Sequence, residues 1–190
     1  MAAEGRMASG TISMASHPGH SETLQSFHEL LWYAAYTSAN HEKRVAEQLG
    51  VRSVEHFLPV YESLRHWKDR RMKLQLPLFP GYVFVRLALR DRLQVLQVPG
   101  VAKLVGFNGM PTALPQGEIE ALRTSLGSGV RAEPHPYLRV GRRIRIKSGS
   151  LAGLEGVLLR RKNSTRFVIS LDLIMRSVAV EIEGCEVEPV

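Results

Sequence analysis

The sequence predicts an α+β protein in which a mostly antiparallel sheet with helices packed against it is followed by a small all-β barrel. Up to residue 126, apolar runs alternate with segments of helical spacing in the order strand, helix, strand, strand, helix, strand, helix. Glycine and proline then cluster at 127–136. Beyond residue 139 helical spacing disappears, and short alternating segments with glycine turns take over.

The elements of the first half are assigned from apolar spacing and from turn residues. Leu31–Thr37 is an apolar and aromatic run of strand length. A helix is expected over His41–Leu49, preceded by the capping residue Asn40. Its apolar residues repeat at helical spacing, which turns Glu42 and Glu47 toward solvent. The later elements are a strand at Val54–Val60, a basic hairpin or extended loop at Arg65–Lys73, a turn before an apolar strand ending at Leu87, a short helix at Arg92–Val98, a strand at Val101–Phe107 and a helix at Gln116–Leu126.

The second half has the pattern of a small barrel. Arg143–Lys147 alternates strictly between charged and apolar residues, which places Ile144 and Ile146 on one face. Further strands are expected at Gly156–Leu159, Phe167–Leu171 and Ser177–Ile182. The predicted organisation is therefore a disordered tail at 1–28, a first domain at 29–126, a linker at 127–138 and a barrel at 139–190.

Charge and cysteine content limit the classes of function. The chain of 190 residues has 25 Lys and Arg against 18 Asp and Glu, and its net charge of +7 favours polyanionic partners such as nucleic acid, the ribosome or a membrane surface. The single cysteine, Cys185, excludes an internal disulfide and fits a reducing compartment. No apolar run has the length of a membrane helix, and the tail lacks the pattern of a secretion signal. We expect a cytoplasmic protein without a membrane partner.

An aromatic turn, Phe79-Pro80-Gly81-Tyr82, is the first candidate site. Proline stiffens the approach and Gly81 allows a positive φ, so the turn is expected to have a fixed shape. One interpretation places Phe79 and Tyr82 in the core, as expected for Phe84. The other places them in a partly exposed apolar socket of the kind that binds proteins.

Basic residues form two candidate nucleic-acid sites. The segment 65–73 has five cations against one acid, and these cations are Arg65, Lys68, Arg70, Arg71 and Lys73. On the predicted strand at 143–147, alternation places Arg143, Arg145 and Lys147 on one face, where they are suited to phosphate contact. The alternative is a solvated face that acids neutralise in part, the candidates being Glu181, Glu183, Glu186 and Glu188.

The sequence offers little for catalysis. No pair of histidines after residue 26 has helical metal-ligand spacing, and the chain has neither a nucleophile elbow nor a Walker loop. The alternative hypothesis is an enzyme that acts on a nucleic acid. In that case His41 and Glu42 are the candidates for acid–base chemistry. We expect no enzymatic activity, no metal site and no cofactor.

The motifs in combination resemble the NusG family. The segments that carry the resemblance are Trp32-Tyr33, Glu42–Leu49, Pro77–Val85 and Val98–Val101, similar to the NusG N-terminal (NGN) domain, and Gly141–Gly156 with Phe167–Ile182, similar to the SH3-like KOW barrel that follows it. Together they cover residues 30–190. The runs Pro-Leu-Phe-Pro-Gly-Tyr-Val-Phe-Val and Arg-Ser-Val-Ala-Val-Glu-Ile resemble the specialised paralogues of the UpxY and RfaH kind more than the housekeeping factor.

The resemblance implies a bacterial transcription elongation or antitermination factor. NusG-like N-terminal domains bind the clamp helices of RNA polymerase through an apolar pocket and suppress pausing or termination. Carried over to this chain, Phe79 and Tyr82 belong to that pocket. Pro80 and Gly81 shape it, and Trp32 supports it. The basic segment 65–73 would lie near upstream or non-template DNA, and the barrel would recruit the ribosome, the termination factor Rho or RNA.

One departure from the family concerns the barrel. The loop that meets Rho and the ribosome in the housekeeping factor corresponds here to Ile174-Met175-Arg176, in which only Arg176 matches. The barrel's partner is therefore left open by the sequence. A ribosome-associated or RNA-binding KOW protein, using the face of Arg143, Arg145 and Lys147, is the alternative function.

Overall fold

The computed structural model describes residues 27–67, 70–135, 143–149, 151–161, 164–181 and 187–190. The predicted tail up to residue 26 and Cys185 lie outside these ranges. The elements of the first domain are β1 (Leu31–Thr37), α1 (Glu42–Val51), β2 (Glu55–Phe57), β3 (Val60–Trp67), β4 (Arg70–Pro77), β5 (Tyr82–Leu87), α2 (Arg92–Leu96), β6 (Val101–Leu104), β7 (Gly106–Phe107), β8 (Met110–Pro111) and α3 (Gln116–Gly127).

A four-stranded antiparallel sheet in the order β2-β5-β1-β6 forms the centre of the first domain. Side chains alternate between its faces. On β1, Trp32 and Ala34 pack in the buried cluster that includes residues of α3, whereas Tyr33 and Ala35 pack with residues of α1 and α2. Helices therefore cover both faces of the sheet, and the predicted α+β sandwich is confirmed.

The basic segment forms a hairpin. β3 and β4 pair antiparallel along their full length, from Val60 opposite Pro77 to Trp67 opposite Arg70, as a two-stranded ribbon separate from the main sheet. Of the two conformations expected for 65–73, the structure thus has the hairpin. The described backbone of the basic segment therefore lies at the end of the ribbon where Trp67 pairs with Arg70.

The strand predicted at Val101–Phe107 is divided in two. β6 pairs with β1, and the chain then enters the short hairpin β7–β8 through Asn108 and Gly109, whose φ angles are 49° and 77°. Gly106 permits the close approach of β7 to β8, because a Cβ there would lie 1.9 Å from the Met110 carbonyl oxygen. The sequence prediction missed the division because Val105 continues the apolar run from β6 into β7.

The second domain is a six-stranded antiparallel sheet. Its elements are β9 (Ala132–His135), β10 (Arg143–Ile146), β11 (Glu155–Arg161), β12 (Ser164–Leu171), β13 (Arg176–Glu181) and β14 (Val187–Pro189). The strand order is β14-β10-β11-β12-β13-β9. Ile144 and Ile146 are buried while Arg143 and Arg145 are exposed, as alternation predicts. The four predicted barrel strands correspond to β10 to β13.

The described part of the predicted linker is largely ordered. Gly127 closes α3, and Ala132–His135 forms β9, the edge strand that pairs with β13. Ala132 is buried, and Pro134 is tolerated because the strand is at an edge. The linker prediction was therefore wrong at 132–135. Only residues 128–131 connect α3 to β9, which keeps the barrel beside the end of α3.

A continuous cluster of buried residues joins the two domains. Its members from the first domain include Trp32, Phe79, Phe84, Leu114, Ile119 and Leu122, and those from the barrel include Ile144, Leu154, Phe167 and Leu171. The barrel therefore packs on the same face of the sheet as α3.

Candidate protein-binding site

The aromatic turn connects the basic hairpin to the central strand β5. The Tyr82 N–H donates to the Phe79 carbonyl oxygen at 3.0 Å, which closes a four-residue turn. Gly81 has a φ of +86°, as the sequence predicts for this position. A side chain on Gly81 would also meet the ring of Tyr36, since a Cβ there would lie 3.3 Å from Tyr36 Cε2.

Two tyrosines and Pro80 form the accessible surface at this turn. Tyr36 lies opposite Tyr82 in the β1–β5 register, and their ring centroids are 5.4 Å apart. Tyr36 is 42% exposed, Tyr82 is half-buried and Pro80 is exposed. These three residues make a small apolar surface with two hydroxyl groups. Tyr36 is absent from the sequence-based site. Its position two residues after Ala34 on β1 would have indicated that it lies on the same face of the sheet as Ala34.

Phe79 and Trp32 lie in the core instead. Phe79 is 1% exposed and packs edge-on against Phe84 with ring centroids 5.3 Å apart. Trp32 is fully buried, and its Nε1–H donates to Glu120 Oε1 on α3 at 3.0 Å. The expected partly exposed socket at Phe79 is therefore wrong for this structure. Burial against Phe84 and the interdomain cluster leaves Phe79 with almost no accessible surface.

Glu42 is a residue of the site that the sequence prediction placed in solvent. It is 5% exposed, and its Oε1 accepts the N–H of Gly81 at 2.7 Å. The neighbouring His41 Nδ1 lies 2.9 Å from the Ala39 carbonyl oxygen. Because the Glu42 carboxylate is engaged by the backbone of the turn, nothing in this geometry favours the acid–base alternative for His41 and Glu42.

Among the described hairpin residues, the backbones of Arg65 on β3 and of Arg70, Arg71 and Lys73 on β4 lie toward the end of the ribbon where Trp67 pairs with Arg70. Lys73 Nζ lies 2.8 Å from Glu62 Oε1 across the ribbon, and both side chains are largely exposed. The register pairs Arg65 with Met72 and Trp67 with Arg70. Lys68 lies outside the described residues, as do the side chains of Arg65, Arg70 and Arg71.

The barrel cations are paired with acids on neighbouring strands. Arg145 contacts Glu155 on β11 and lies 3.7 Å from Glu188 on β14, and Lys147 lies 3.2 Å from Glu188. The hydrogen bond to Glu155 raises the pKa of Arg145. Arg143 is exposed beside the first domain. These ion pairs favour the partly neutralised face over a free phosphate-binding face.

The three residues expected at the partner loop of the barrel differ in accessibility. Ile174 is buried in the core, so it is not available to a partner. Met175 is 64% exposed and has a φ of 50°, and Arg176 is also exposed. A non-glycine residue in the left-handed region is uncommon and marks a position held by its surroundings.

A cleft of about 550 Å³ separates the start of α3 from the barrel. Glu118 on α3, Arg143 on β10 and Glu155 on β11 line it, together with Asp172. Burial raises the pKa of the Glu118 carboxyl, the carboxylates of Asp172 and Glu155 raise it further, and Arg143 opposes them. The cleft therefore brings three acids and one cation together where the domains meet.

The stability of the protein is expected to decrease as the pH rises through the raised pKa of Glu118. The structure favours the neutral carboxyl, so this contribution is complete below the ordinary glutamate pKa and is lost as the pH passes the raised value. Glu118→Gln should raise the melting temperature at neutral pH by a few degrees and flatten the pH profile. Thermal unfolding across the acidic to neutral range, with Glu47→Gln as an exposed control, measures this. An E118Q profile parallel to the wild type would contradict it.

Among the described residues there is no group of three or more His, Cys, Asp or Glu side chains that could hold a metal ion. A search of the same residues finds no helix long and apolar enough to cross a membrane.

Comparison with known proteins identifies the family. Residues 30–123 match the family model described as "Transcription termination factor nusG". The chain is a NusG-like transcription factor. The likeness agrees with the expectation that it is not an enzyme.

Relatives match over most of their length. The "Transcription termination/antitermination protein NusG" of Lactococcus lactis subsp. lactis (strain IL1403) is 29% identical over 173 residues, which cover 84% of this chain and 92% of that protein. The protein of the same name from Escherichia coli (strain K12) is 26% identical over 172 residues, covering 83% and 94%. The structure described as "Domain interaction in Thermotoga maritima NusG" has a TM-score of 0.51 at 22% identity, covering 85% of this chain and 98% of that one, and supports the fold.

Proposed function

We propose that this NusG-like protein binds the clamp helices of RNA polymerase through its N-terminal domain and suppresses pausing or termination, as a specialised paralogue. The observation that carries the proposal is the pair of exposed Tyr36 and half-buried Tyr82 beside Pro80, at a turn whose shape is fixed. Aromatic side chains that are rigid before binding lose little conformational entropy when they dock, which makes them effective anchors.

We assign the residues of the predicted site roles that differ from those expected from the sequence. Tyr82, Pro80 and Tyr36 are proposed as the contact surface. Gly81 shapes the turn, and the buried Phe79 and Trp32 support it from below. The two hydroxyl groups of the contact surface also allow hydrogen bonds to polar side chains on a partner helix.

The β3–β4 hairpin is proposed to lie near upstream or non-template DNA. Five cations within 65–73 give its free end a positive charge that attracts the phosphate backbone, independently of sequence. In this arrangement the aromatic turn at the base of the hairpin docks on protein, and the end of the hairpin reaches nucleic acid.

The barrel is proposed to recruit a second partner through Met175 and Arg176, the exposed members of the predicted loop. Candidate partners are the ribosome, Rho and RNA. Because Arg145 and Lys147 are paired with acids, direct RNA binding by that face has less support than a protein contact at Met175.

Removal of hairpin cations is expected to reduce the salt dependence of binding to an elongation complex. Replacing Arg70 and Arg71 with glutamine should lower the slope of log Kd against log salt concentration by about 2, since each phosphate contact contributes about one unit. Titrations of the full chain at several salt concentrations measure the slope. The matched control replaces Arg52 and Lys103, exposed cations elsewhere on the first domain. Equal slopes for the hairpin variant and the wild type would contradict the DNA contact.

The functional part of the proposal is tested by single-round transcription on a template with a defined pause and a terminator. Addition of the full chain should shorten the pause and increase read-through. A protein that binds polymerase but leaves both unchanged would contradict antitermination while leaving polymerase binding intact.

A further inference from the structure

The Glu42 carboxylate is buried. None of the described residues places a cation in contact with it. Glu42 is the first residue of α1, where the partial positive charge of the helix N-terminus stabilises an acid. Its Oε1 accepts the N–H of Gly81, which lies outside the helix, at 2.7 Å. A helix-start acid that served α1 alone would have no reason to reach a turn on another strand.

Both backbone polar groups of Gly81 are held by the same region of the chain. Its N–H donates to Glu42, and its carbonyl oxygen accepts the N–H of Thr37, at the end of β1, at 2.8 Å. A hydrogen bond to a charged acceptor is among the stronger ones in proteins. Loss of the acceptor would leave a partly buried N–H without a partner, at a residue already in the left-handed region.

The position of Gly81 determines how the aromatic pair is presented. Tyr82 follows Gly81 directly, and the ring of Tyr36 lies against the Gly81 backbone. A shift of the turn would therefore move Tyr82 relative to Tyr36 and change the surface offered to a partner.

We propose that Glu42 is a positioning residue, which holds the Pro80–Gly81 turn through the Gly81 N–H and so presents Tyr82 beside Tyr36 for docking. This inference rests on the proposed function of the aromatic pair. Glu42 itself is buried and does not touch the partner.

Two conservative variants separate the hydrogen bond from the charge. Glu42→Asp keeps a carboxylate at the start of α1 but withdraws it by one methylene, beyond reach of Gly81. Glu42→Gln removes the charge but keeps an oxygen that accepts the same N–H. The corresponding changes at Glu47, an exposed glutamate on the same helix, are the controls. Because E42D preserves the favourable helix-start acid, it is expected to fold.

The first readout is amide hydrogen exchange of Gly81 in the free protein, followed by NMR. Exchange should accelerate about tenfold or more in E42D and stay near the wild-type rate in E42Q. The second readout is affinity for RNA polymerase, which should fall about tenfold in E42D and remain within about twofold in E42Q.

Unchanged Gly81 exchange in E42D would overturn the inference. So would faster exchange with undiminished affinity in E42D, or equal loss of affinity in both variants. If Tyr82→Ala leaves polymerase affinity unchanged, the proposed function fails instead, and the Gly81 exchange rates still decide whether Glu42 holds the turn.

Discussion

Replacing Tyr82 with alanine is expected to weaken binding to RNA polymerase by about 2–4 kcal/mol, a loss of thirtyfold or more, while the protein remains folded. Tyr82 is half-buried and its ring lies beside that of the exposed Tyr36, so its removal takes away the centre of the proposed contact surface. The measurement is the affinity of the full chain for polymerase, with circular dichroism to confirm folding.

Phe107→Ala is the matched control for this substitution. Phe107 is an aromatic residue on β7 that is 67% exposed and lies outside the proposed surface. Its loss should leave polymerase affinity within about twofold of the wild type. Equal effects of Tyr82→Ala and Phe107→Ala would contradict the assignment of the surface.

Replacing Phe79 with alanine is expected to act on stability. Phe79 is 1% exposed and packs against Phe84, so truncation removes buried apolar surface and leaves a cavity under the turn. Phenylalanine to alanine changes of this kind lower the free energy of unfolding by about 3–5 kcal/mol. Urea unfolding measures the change.

Phe107→Ala again provides the comparison, because the same atoms are lost from an exposed position. Its effect on the free energy of unfolding should stay within about 0.5 kcal/mol. A Phe79→Ala variant as stable as the wild type, but defective in polymerase binding, would restore Phe79 to the contact surface and contradict its assignment to the core.

The regular elements could be predicted because their signals are local. Ile119 and Leu122 recur at helical spacing, and the helix expected at Gln116–Leu126 is α3, which ends one residue later. Strict alternation at Arg143–Lys147 likewise identified β10 and its buried isoleucines. In these segments period and propensity agree with the tertiary structure, so short windows of sequence are sufficient.

The accessibility of the site residues could not be predicted in the same way. The contact between Glu42 and Gly81 joins residues 39 positions apart, and no pattern within α1 indicates it. Phe79 and Tyr82 have the same apolar character in the sequence, yet one is enclosed by Phe84 and the interdomain cluster and the other is partly exposed. Burial here depends on which elements meet in space.

The charge pairs of the barrel show the same limit. Glu188 was among the acids expected to neutralise the face of Arg145 and Lys147, and it does contact both. The partnership with Glu155 was not anticipated, because it depends on the register that places Arg145 opposite Glu155. Strand β9 was missed because its proline and its position in a glycine- and proline-rich segment are typical of a linker.

The most direct test of the central claim is hydroxyl-radical footprinting of the unmodified chain, alone and bound to transcribing RNA polymerase. Tyr36 and Tyr82 should both become protected in the complex, while Phe107 keeps the labelling rate of the free protein. Labelling of the two tyrosines that is unchanged by polymerase, with protection elsewhere on the chain, would show that the aromatic turn is not the docking surface.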